Sequence, residues 1–215
     1  MKFAVSSSEL LKGLLTVSKA IPSKATEAIL EDYLFSLSGD LLEVTASDKE
    51  ITMKTSIAVD NKEGDGRIAV PARQLNDLLR ELPDQPLTIR TISENQFECA
   101  WASGESSLPY FNPDDYPECQ TTGPDAITVE FPAMTLVDGI SRTIYASSDE
   151  DNRPVMNSIF FDINPDSTTL VASDLQKLTC YTADDVKAEN PCSFILNKRH
   201  AAVIKSIIGK DVESV

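Results

Sequence analysis

The feature that most constrains the fold of this chain is an internal repeat with a constant spacing of 126 residues. Phe35–Asp48 reads FSLSGDLLEVTASD, and 126 positions later Phe161–Asp174 reads FDINPDSTTLVASD. The same spacing places Leu10, in a helical pattern, on Leu136. Agreement of strand, helix and turn patterns at one spacing indicates a duplicated architecture.

Within the first repeat, a strand, an amphipathic helix and three strands follow one another twice. We predict Ser8 as the N-cap of the first helix, and Pro83 ends the second. Asn61–Gly66 is interpreted as a polar turn between the two halves. The predicted strands of this repeat are 2–5, 33–37, 41–46, 51–59, 67–70, 87–92, 96–102 and 105–110. The predicted helices of the whole chain are 8–21, 72–82, 133–146 and 197–210.

These patterns predict an α+β fold of two duplicated domains, with helices on one face of antiparallel sheets. The stretch from Phe111 to Pro124 is rich in proline and acid and has no period, which is typical of a linker. We assign the first domain to 1–117, the linker to 118–125 and the second domain to 126–215. Two strands of the first repeat have no counterpart before Val215, so we expect a longer natural protein. The alternative is a shorter variant whose sheet edge is covered otherwise.

Charge is distributed unevenly along the chain. The formal net charge of −15 argues, taken alone, against nucleic acid. The predicted helices nevertheless carry nine cations and only four acids. The cations are Lys12, Lys19, Arg73, Arg80, Arg142, Lys198, Arg199, Lys205 and Lys210. In three of the helices, two cations lie seven residues apart and therefore share one face of the helix. An ordinary solvated surface would explain the cations of any one helix. The same pattern in three helices favours a basic surface that contacts the phosphates of duplex nucleic acid.

Residue patterns for catalysis and metal binding are nearly absent from the sequence. His200 is the only histidine and lies in a basic helix, so a Ser–His–Asp triad is not predicted. The four cysteines form no CxxC pair, and no glycine-rich phosphate loop occurs. Asp149–Asp151 is interpreted as a solvated acidic loop rather than a cation site. We therefore predict no enzyme activity, no metal and no cofactor.

The sequence also bears on cellular location. It contains no run of about 18 apolar residues and no apolar leader after Met1, so neither a membrane span nor a secretory signal is predicted. Widely separated cysteines in such a chain favour a reducing compartment. We expect a cytoplasmic protein.

Four motifs resemble the bacterial DNA polymerase III β subunit, the sliding clamp family. They are Met1-Lys-Phe3, Val70-Pro-Ala-Arg73 before a helix, Asp115-Tyr-Pro117 at the linker and Arg153-Pro-Val-Met-Asn157 before a strand. The resemblance covers essentially the whole chain, but only the first domain and most of the second of a three-domain family. It implies that two full-length chains form a ring, with helices on the inner wall and duplex DNA through the hole. The third domain is absent here, so we expect this chain alone to be a monomer, or at most to associate weakly through exposed strand edges such as Glu105–Leu108.

The resemblance also implies two sets of site residues. Those expected to face DNA are Lys24, Arg73, Arg80, Arg142, Arg153, Lys198, Arg199 and Lys205. Those expected to form a pocket for short hydrophobic peptides of the polymerase catalytic subunit and the clamp loader are Met156, Ser173, Leu175, Gln176, Lys177 and Leu178. Core packing is an equally good interpretation of Leu178.

The sequence departs from the family pattern at two places. Ser173-Asp-Leu-Gln-Lys-Leu178 replaces the glycine and histidine of the family's Thr-Asp-Gly-His-Arg-Leu-like turn, which puts the peptide preference in question. Glu150 stands where the family commonly has an uncharged polar side chain, and it should weaken that DNA contact.

These observations lead us to expect a non-enzymatic processivity factor. It would encircle duplex DNA without reading its sequence, and tether polymerase and other replication or repair proteins. The alternatives are a DNA-binding or regulatory protein that reuses the fold without encircling DNA, and a small enzyme on the same fold.

Overall fold

The computed structural model describes residues 1–22, 24–118, 123, 126–150 and 152–215. The chain divides into two compact units, Met1–Thr121 (unit 1) and Thr122–Val215 (unit 2). Most of the expected linker at 118–125 lies outside the described residues, as does Asp151 of the acidic loop.

The described part of unit 1 contains nine strands and two helices. In chain order they are β1 (Lys2–Ser6), α1 (Ser7–Val17), β2 (Asp32–Ser38), β3 (Leu41–Ser47), β4 (Thr52–Ala58), β5 (Asp60–Glu63), β6 (Gly66–Pro71), α2 (Ala72–Glu81), β7 (Pro86–Thr91), β8 (Gln96–Trp101) and β9 (Gly104–Pro109). They form two antiparallel sheets, β5-β1-β7-β8-β9 and β4-β3-β2-β6. α1 packs on β3 and β4, α2 packs on β2 and β6, and the two helices contact each other.

One apolar core holds unit 1 together, and its residues follow the helical and strand periods of the sequence. Leu10 and Leu14 of α1 and Leu75 of α2 are fully buried. Burial of such a side chain contributes about 1.5–3 kcal/mol. The core also contains a polar link: the Tyr33 hydroxyl of β2 donates to the Leu14 carbonyl (3.1 Å) and accepts from Asn76 Nδ2 of α2 (2.8 Å). This link joins both helices to the sheet.

Unit 2 repeats this arrangement. Its described elements are α3 (Ala133–Thr143), β10 (Ser158–Ile163), β11 (Thr168–Ser173), β12 (Leu178–Ala183), β13 (Cys192–Asn197) and α4 (Lys198–Ile207). The strands form an antiparallel sheet in the order β12-β11-β10-β13. α3 packs on β11 and β12, α4 packs on β10 and β13, and Phe161 is buried just as its counterpart Phe35 is. The predicted duplicated α+β fold is confirmed.

The start of the first helix differs from the prediction. α1 begins at Ser7, and its N-cap is Ser6, whose hydroxyl accepts from the Glu9 amide (3.4 Å). Ser8 lies in the first turn, where its hydroxyl donates to Asp84 Oδ1 (2.7 Å). Ser6 is the last residue of β1 and has an extended backbone, which is the conformation an N-cap requires.

The predicted turn Asn61–Gly66 is wrong in its first half, because Asp60–Glu63 forms the edge strand β5. β5 pairs with β1, and an ion pair joins Lys2 Nζ to Glu63 Oε1 (2.6 Å). The residues of β5 are mostly exposed, so no alternating apolar pattern marks the strand in the sequence.

The first part of the segment interpreted as linker belongs to unit 1. Phe111 pairs with Ala69 of β6 through backbone hydrogen bonds of 2.8 and 3.2 Å. Tyr116 is buried, and its hydroxyl donates to the carbonyls of Asp32 (3.4 Å) and Thr45 (3.5 Å). Asp32 is also buried. Its burial is the larger cause, and the negative charge of Glu31 the smaller one, that raise the pKa of its carboxyl to about 6.

Unit 2 differs from unit 1 beside α3. The expected counterpart of β1 is not a strand; Phe131 instead exchanges two backbone hydrogen bonds with Val215, both 2.9 Å. β13 forms an edge of its sheet, where Phe194 is 45% and Ile195 49% exposed. None of the helices in the described ranges is long and apolar enough to cross a membrane.

Candidate nucleic-acid interface and peptide pocket

The cations of α2 lie on the side of the helix opposite its buried leucines. The side chains of Arg73 and Arg80 are 95% and 55% exposed. Asp77 lies between them, with its carboxylate 3.9 Å from Arg73 Nε and 3.4 Å from Arg80 Nη1. This patch therefore has two positive charges and one negative charge. Lys24, in the segment after α1, is exposed as well.

The cations of α4 have two different environments. Arg199 and Lys205 are exposed. The Lys198 side chain is only 28% exposed, and its Nζ donates to Asp149 Oδ1 (2.6 Å) and to the Ser147 carbonyl (3.4 Å). The hydrogen bond from Lys198 holds the pKa of the Asp149 carboxyl below its usual value. Lys198 therefore connects α4 to the loop that precedes β10.

The two remaining predicted DNA contacts of unit 2 are exposed and have neighbours of their own. The Arg142 guanidinium lies 5.9 Å from the centre of the Tyr181 ring, within the range of a cation–π contact. Arg153 Nε lies 4.0 Å from Glu150 Oε2. Glu150 is thus close enough to reduce the charge that Arg153 presents to a phosphate.

The residues predicted for the peptide pocket, apart from Met156, lie on the turn between β11 and β12 and at its two ends. Asp174 Oδ1 accepts from the amides of Gln176 (3.0 Å) and Lys177 (2.9 Å), and the Ser173 hydroxyl accepts from the Leu175 amide (3.2 Å). Hydrogen bonds from the backbone and side chain of Lys177 lower the pKa of Asp174 to about 2. Lys177 Nζ also donates to the Tyr145 carbonyl (2.9 Å), which connects the turn to the segment after α3.

Unit 1 contains the same turn, 126 residues earlier. Asp48 Oδ1 accepts from the amides of Glu50 (2.9 Å) and Ile51 (2.6 Å). The residue after the aspartate has a left-handed backbone in both turns, with φ of 76° at Lys49 and 75° at Leu175. In both turns, the serine and aspartate side chains of the repeated Ala-Ser-Asp sequence accept hydrogen bonds from the backbone that follows them. Leu175 occupies the place of the family's glycine, in a conformation that glycine adopts at less cost.

Apolar side chains are exposed around this turn. Leu175 is 67% and Leu178 is 70% exposed, so the core-packing interpretation of Leu178 is wrong. Met156 is half-buried. Tyr145 was not among the predicted pocket residues; it is 60% exposed and accepts a hydrogen bond from Thr179 Oγ1 (2.8 Å). Its position just after the apolar stripe of α3 is the sequence feature that could have indicated an exposed aromatic side chain there.

Comparison with known proteins places the chain in a family. The model of the N-terminal domain of the DNA polymerase III β subunit matches residues 1–120. A β sliding clamp from Synechococcus elongatus is 24% identical over 196 residues, covering 90% of this chain and 52% of the relative. One from Halalkalibacterium halodurans is 28% identical over 189 residues, covering 83% and 48%.

Solved structures show the same fold. A putative DNA polymerase III β subunit from Eubacterium rectale has a TM-score of 0.93 at 26% identity, covering all of this chain and 59% of that one. A Pseudomonas aeruginosa sliding clamp bound to griselimycin has a TM-score of 0.92 at 23% identity, covering 100% and 58%. The arrangement is that of a clamp-type protein. The chain belongs to the DNA polymerase III β subunit family, and it spans about half the length of the curated relatives that it matches.

Proposed function

We propose that this chain is the DNA- and partner-binding part of a sliding clamp, a non-catalytic processivity factor that encircles duplex DNA without reading its sequence. In the full-length protein, two copies would close the ring and tether polymerase and other replication or repair proteins. The observation that carries the proposal is the exposure of helical cations on a chain whose formal net charge is −15. Family membership supports it.

The chemistry of the helical surfaces suits phosphate rather than bases. Lysine and arginine side chains can contact phosphates at any sequence, and such contacts orient a protein on DNA without specifying where it binds. Arg73 and Arg80 are seven residues apart, as are Lys198 and Lys205, so the cations of each pair lie about two helical turns apart along one face. A ring with such an inner wall would retain DNA by topology and needs only weak contacts.

The pocket at the β11–β12 turn is proposed to receive a short hydrophobic peptide of the polymerase catalytic subunit or the clamp loader. Support comes from the exposure of Leu175, Leu178 and Tyr145 and from the hydrogen bonds that join Tyr145 to Lys177 and Thr179 beside this turn. That a relative has been solved with bound griselimycin supports ligand binding by clamps of this family.

We also propose that the chain, by itself, is a monomer. Light scattering over a range of concentrations should give the mass of one chain. A stable dimer at every concentration would contradict this expectation.

The DNA proposal is tested by charge reversal at three exposed helical cations, Arg73→Glu, Arg80→Glu and Lys205→Glu combined. The chain without a ring should bind a duplex with a Kd of about 10⁻⁴–10⁻⁶ M at physiological salt, and more tightly at low salt. The triple variant should lose this binding for every sequence tested. Fluorescence anisotropy with several labelled duplexes, each over a series of salt concentrations, measures it.

A matched control makes the same change in charge away from the helices. Lys54→Glu, Arg67→Glu and Lys187→Glu are exposed substitutions on strands and a loop, and together they should weaken binding far less. Equal losses in both triple variants would mean that only net charge matters. Binding that depends on sequence or ignores salt would contradict a phosphate-facing surface.

A further inference from the structure

Acidic side chains lie beside four of the cations expected to face DNA, Arg73, Arg80, Arg153 and Lys198. Asp77 lies within 4 Å of both Arg73 and Arg80. Asp149 is paired with Lys198 at 2.6 Å, and Glu150 lies 4.0 Å from Arg153. The inference drawn from these pairs rests on the proposed DNA-binding function.

The pairs are placed where solvent, and therefore a phosphate, can reach them. The carboxylate side chains are 60% exposed at Asp77, 90% at Asp149 and 65% at Glu150. A carboxylate and a phosphate present the same kind of group to a guanidinium or an ammonium, an anionic oxygen that accepts a charge-assisted hydrogen bond. The two groups cannot occupy one lysine or arginine proton at the same time.

We propose that Asp77, Asp149 and Glu150 act as internal competitors of the DNA phosphates. In the free chain they offset part of the positive charge of these cations, and at Arg80 and Lys198 they also accept a hydrogen bond that a phosphate could otherwise accept. Exposed ion pairs are weak, so displacement is easy and reversible. The competitors would lower the affinity for DNA and shorten each phosphate contact, which suits a protein that must move along a duplex.

The Lys198–Asp149 pair is the most restrictive of the three. Lys198 is only 28% exposed and also donates to the Ser147 carbonyl, so its ammonium is held in place. Two of its three ammonium protons are thus in use, and a phosphate gains more than one hydrogen bond from Lys198 only by displacing Asp149. Asp77 lies beside two arginines, so Asp77→Asn changes the surroundings of two positive charges. The substitutions at Asp149 and Glu150 each change the surroundings of one.

The test measures duplex binding by the chain after each competitor is neutralised: Asp77→Asn, Asp149→Asn and Glu150→Gln. The matched control is Asp138→Asn, an exposed acid on α3 for which the described residues provide no ion pair. All four variants raise the net charge by one and keep the size of the side chain. Anisotropy with a random-sequence duplex at about 50 mM salt gives the affinity, and a salt series gives the slope.

Each competitor variant should bind about 2–5-fold more tightly than Asp138→Asn, since this is the range expected for releasing one exposed ion pair. The salt slope should become steeper by about one unit for Asp149→Asn, because one more phosphate contact forms. If the competitor variants equal the Asp138→Asn control in affinity and slope, the inference is wrong and only net charge acts.

The failure of this inference is distinguishable from failure of the proposed function. If reversal of Arg73, Arg80 and Lys205 abolishes binding while the competitor variants behave as the control, the DNA surface stands and the competition does not. If the reversal has no effect, the DNA surface itself is wrong. Asp149→Ala, which leaves no side-chain oxygen near Lys198, checks that the amide in Asp149→Asn does not preserve the pair.

Discussion

Leu175 is in a left-handed backbone conformation that its side chain disfavours, so replacing it with glycine should stabilise unit 2. The conformation costs an L-residue about 1–2 kcal/mol. Glycine removes this cost but loses about 0.5–1 kcal/mol through the greater freedom of the unfolded chain. Leu175 is 67% exposed, so little packing is lost. Leu175→Gly should therefore raise the free energy of unfolding by about 0.75 kcal/mol, the difference between the centres of these two ranges.

The change is measurable as a thermal shift. For a unit of this size, about 0.75 kcal/mol corresponds to a rise in Tm of roughly 3–6 °C. Far-UV circular dichroism follows the unfolding of both units, whereas Trp101, the only tryptophan, reports on unit 1. The gain for Leu175→Gly should appear in the circular dichroism trace. Lys49→Gly, at the matching position of unit 1, should shift the Trp101 fluorescence transition.

Two control variants separate backbone strain from other effects. Leu175→Ala keeps a Cβ and therefore the strain, so it should give no gain. Gln176→Gly adds a glycine at the next residue, which is not left-handed, and it should destabilise by about 0.5–1 kcal/mol. A gain in Leu175→Ala equal to that in Leu175→Gly would refute the argument, because removal of the exposed apolar side chain would then explain both.

Three further predictions concern the core, the pH dependence and the pocket. Tyr33→Phe should destabilise unit 1 by about 1–3 kcal/mol in urea, because it leaves the buried Asn76 amide without its acceptor, and adding Asn76→Leu should recover part of the loss. Asp32 has a folded pKa of about 6, above its value of 3.8 in an unfolded chain, so the stability present below pH 4 is lost as pH rises through 6. Asp32→Asn should therefore stabilise the chain more at pH 7 than at pH 3.5 in denaturant titrations, and an equal effect at both would contradict the burial argument. In the full-length protein, Met156→Ala and Leu178→Asp should each lower the affinity for a clamp-binding hydrophobic peptide about tenfold or more, measured by calorimetry, and leave DNA binding intact. Since Leu178 is 70% exposed, the Leu178→Asp variant should fold. An unchanged peptide affinity in both variants would exclude the pocket.

Most of the fold could be predicted from the sequence because the 126-residue repeat agrees with the helical and strand periods of the apolar residues. Leucines at helical spacing became the buried stripes of α1 and α2, and the alternating runs became strands close to their expected ends. The strand β5 was missed because an edge strand exposed on both faces has no apolar alternation. Phe111–Tyr116 was assigned to the linker because its attachment depends on partners distant in sequence.

The candidate site was less predictable than the fold. Residue type and helical spacing identified the cations, but neither could indicate that Lys198 is bonded to Asp149, or that Asp77 lies between two arginines. These pairs depend on rotamers and on loop paths that a sequence period does not determine. The exposure of Leu178 was equally undecided, since the first residue of an alternating strand can point to either face.

The edge position of β13 has a consequence for handling the protein in solution. In unit 1, Phe111 pairs with β6 and covers that edge, and the counterpart positions Ile68 and Ala69 are buried. In the described part of unit 2, no such partner lies beside β13, and Phe194 and Ile195 are open to solvent. A flat apolar edge with unpaired amides and carbonyls can accept a strand from another molecule. β13 is therefore one edge at which two copies of this chain could pair weakly in concentrated samples, and Ile195→Lys should disfavour that pairing.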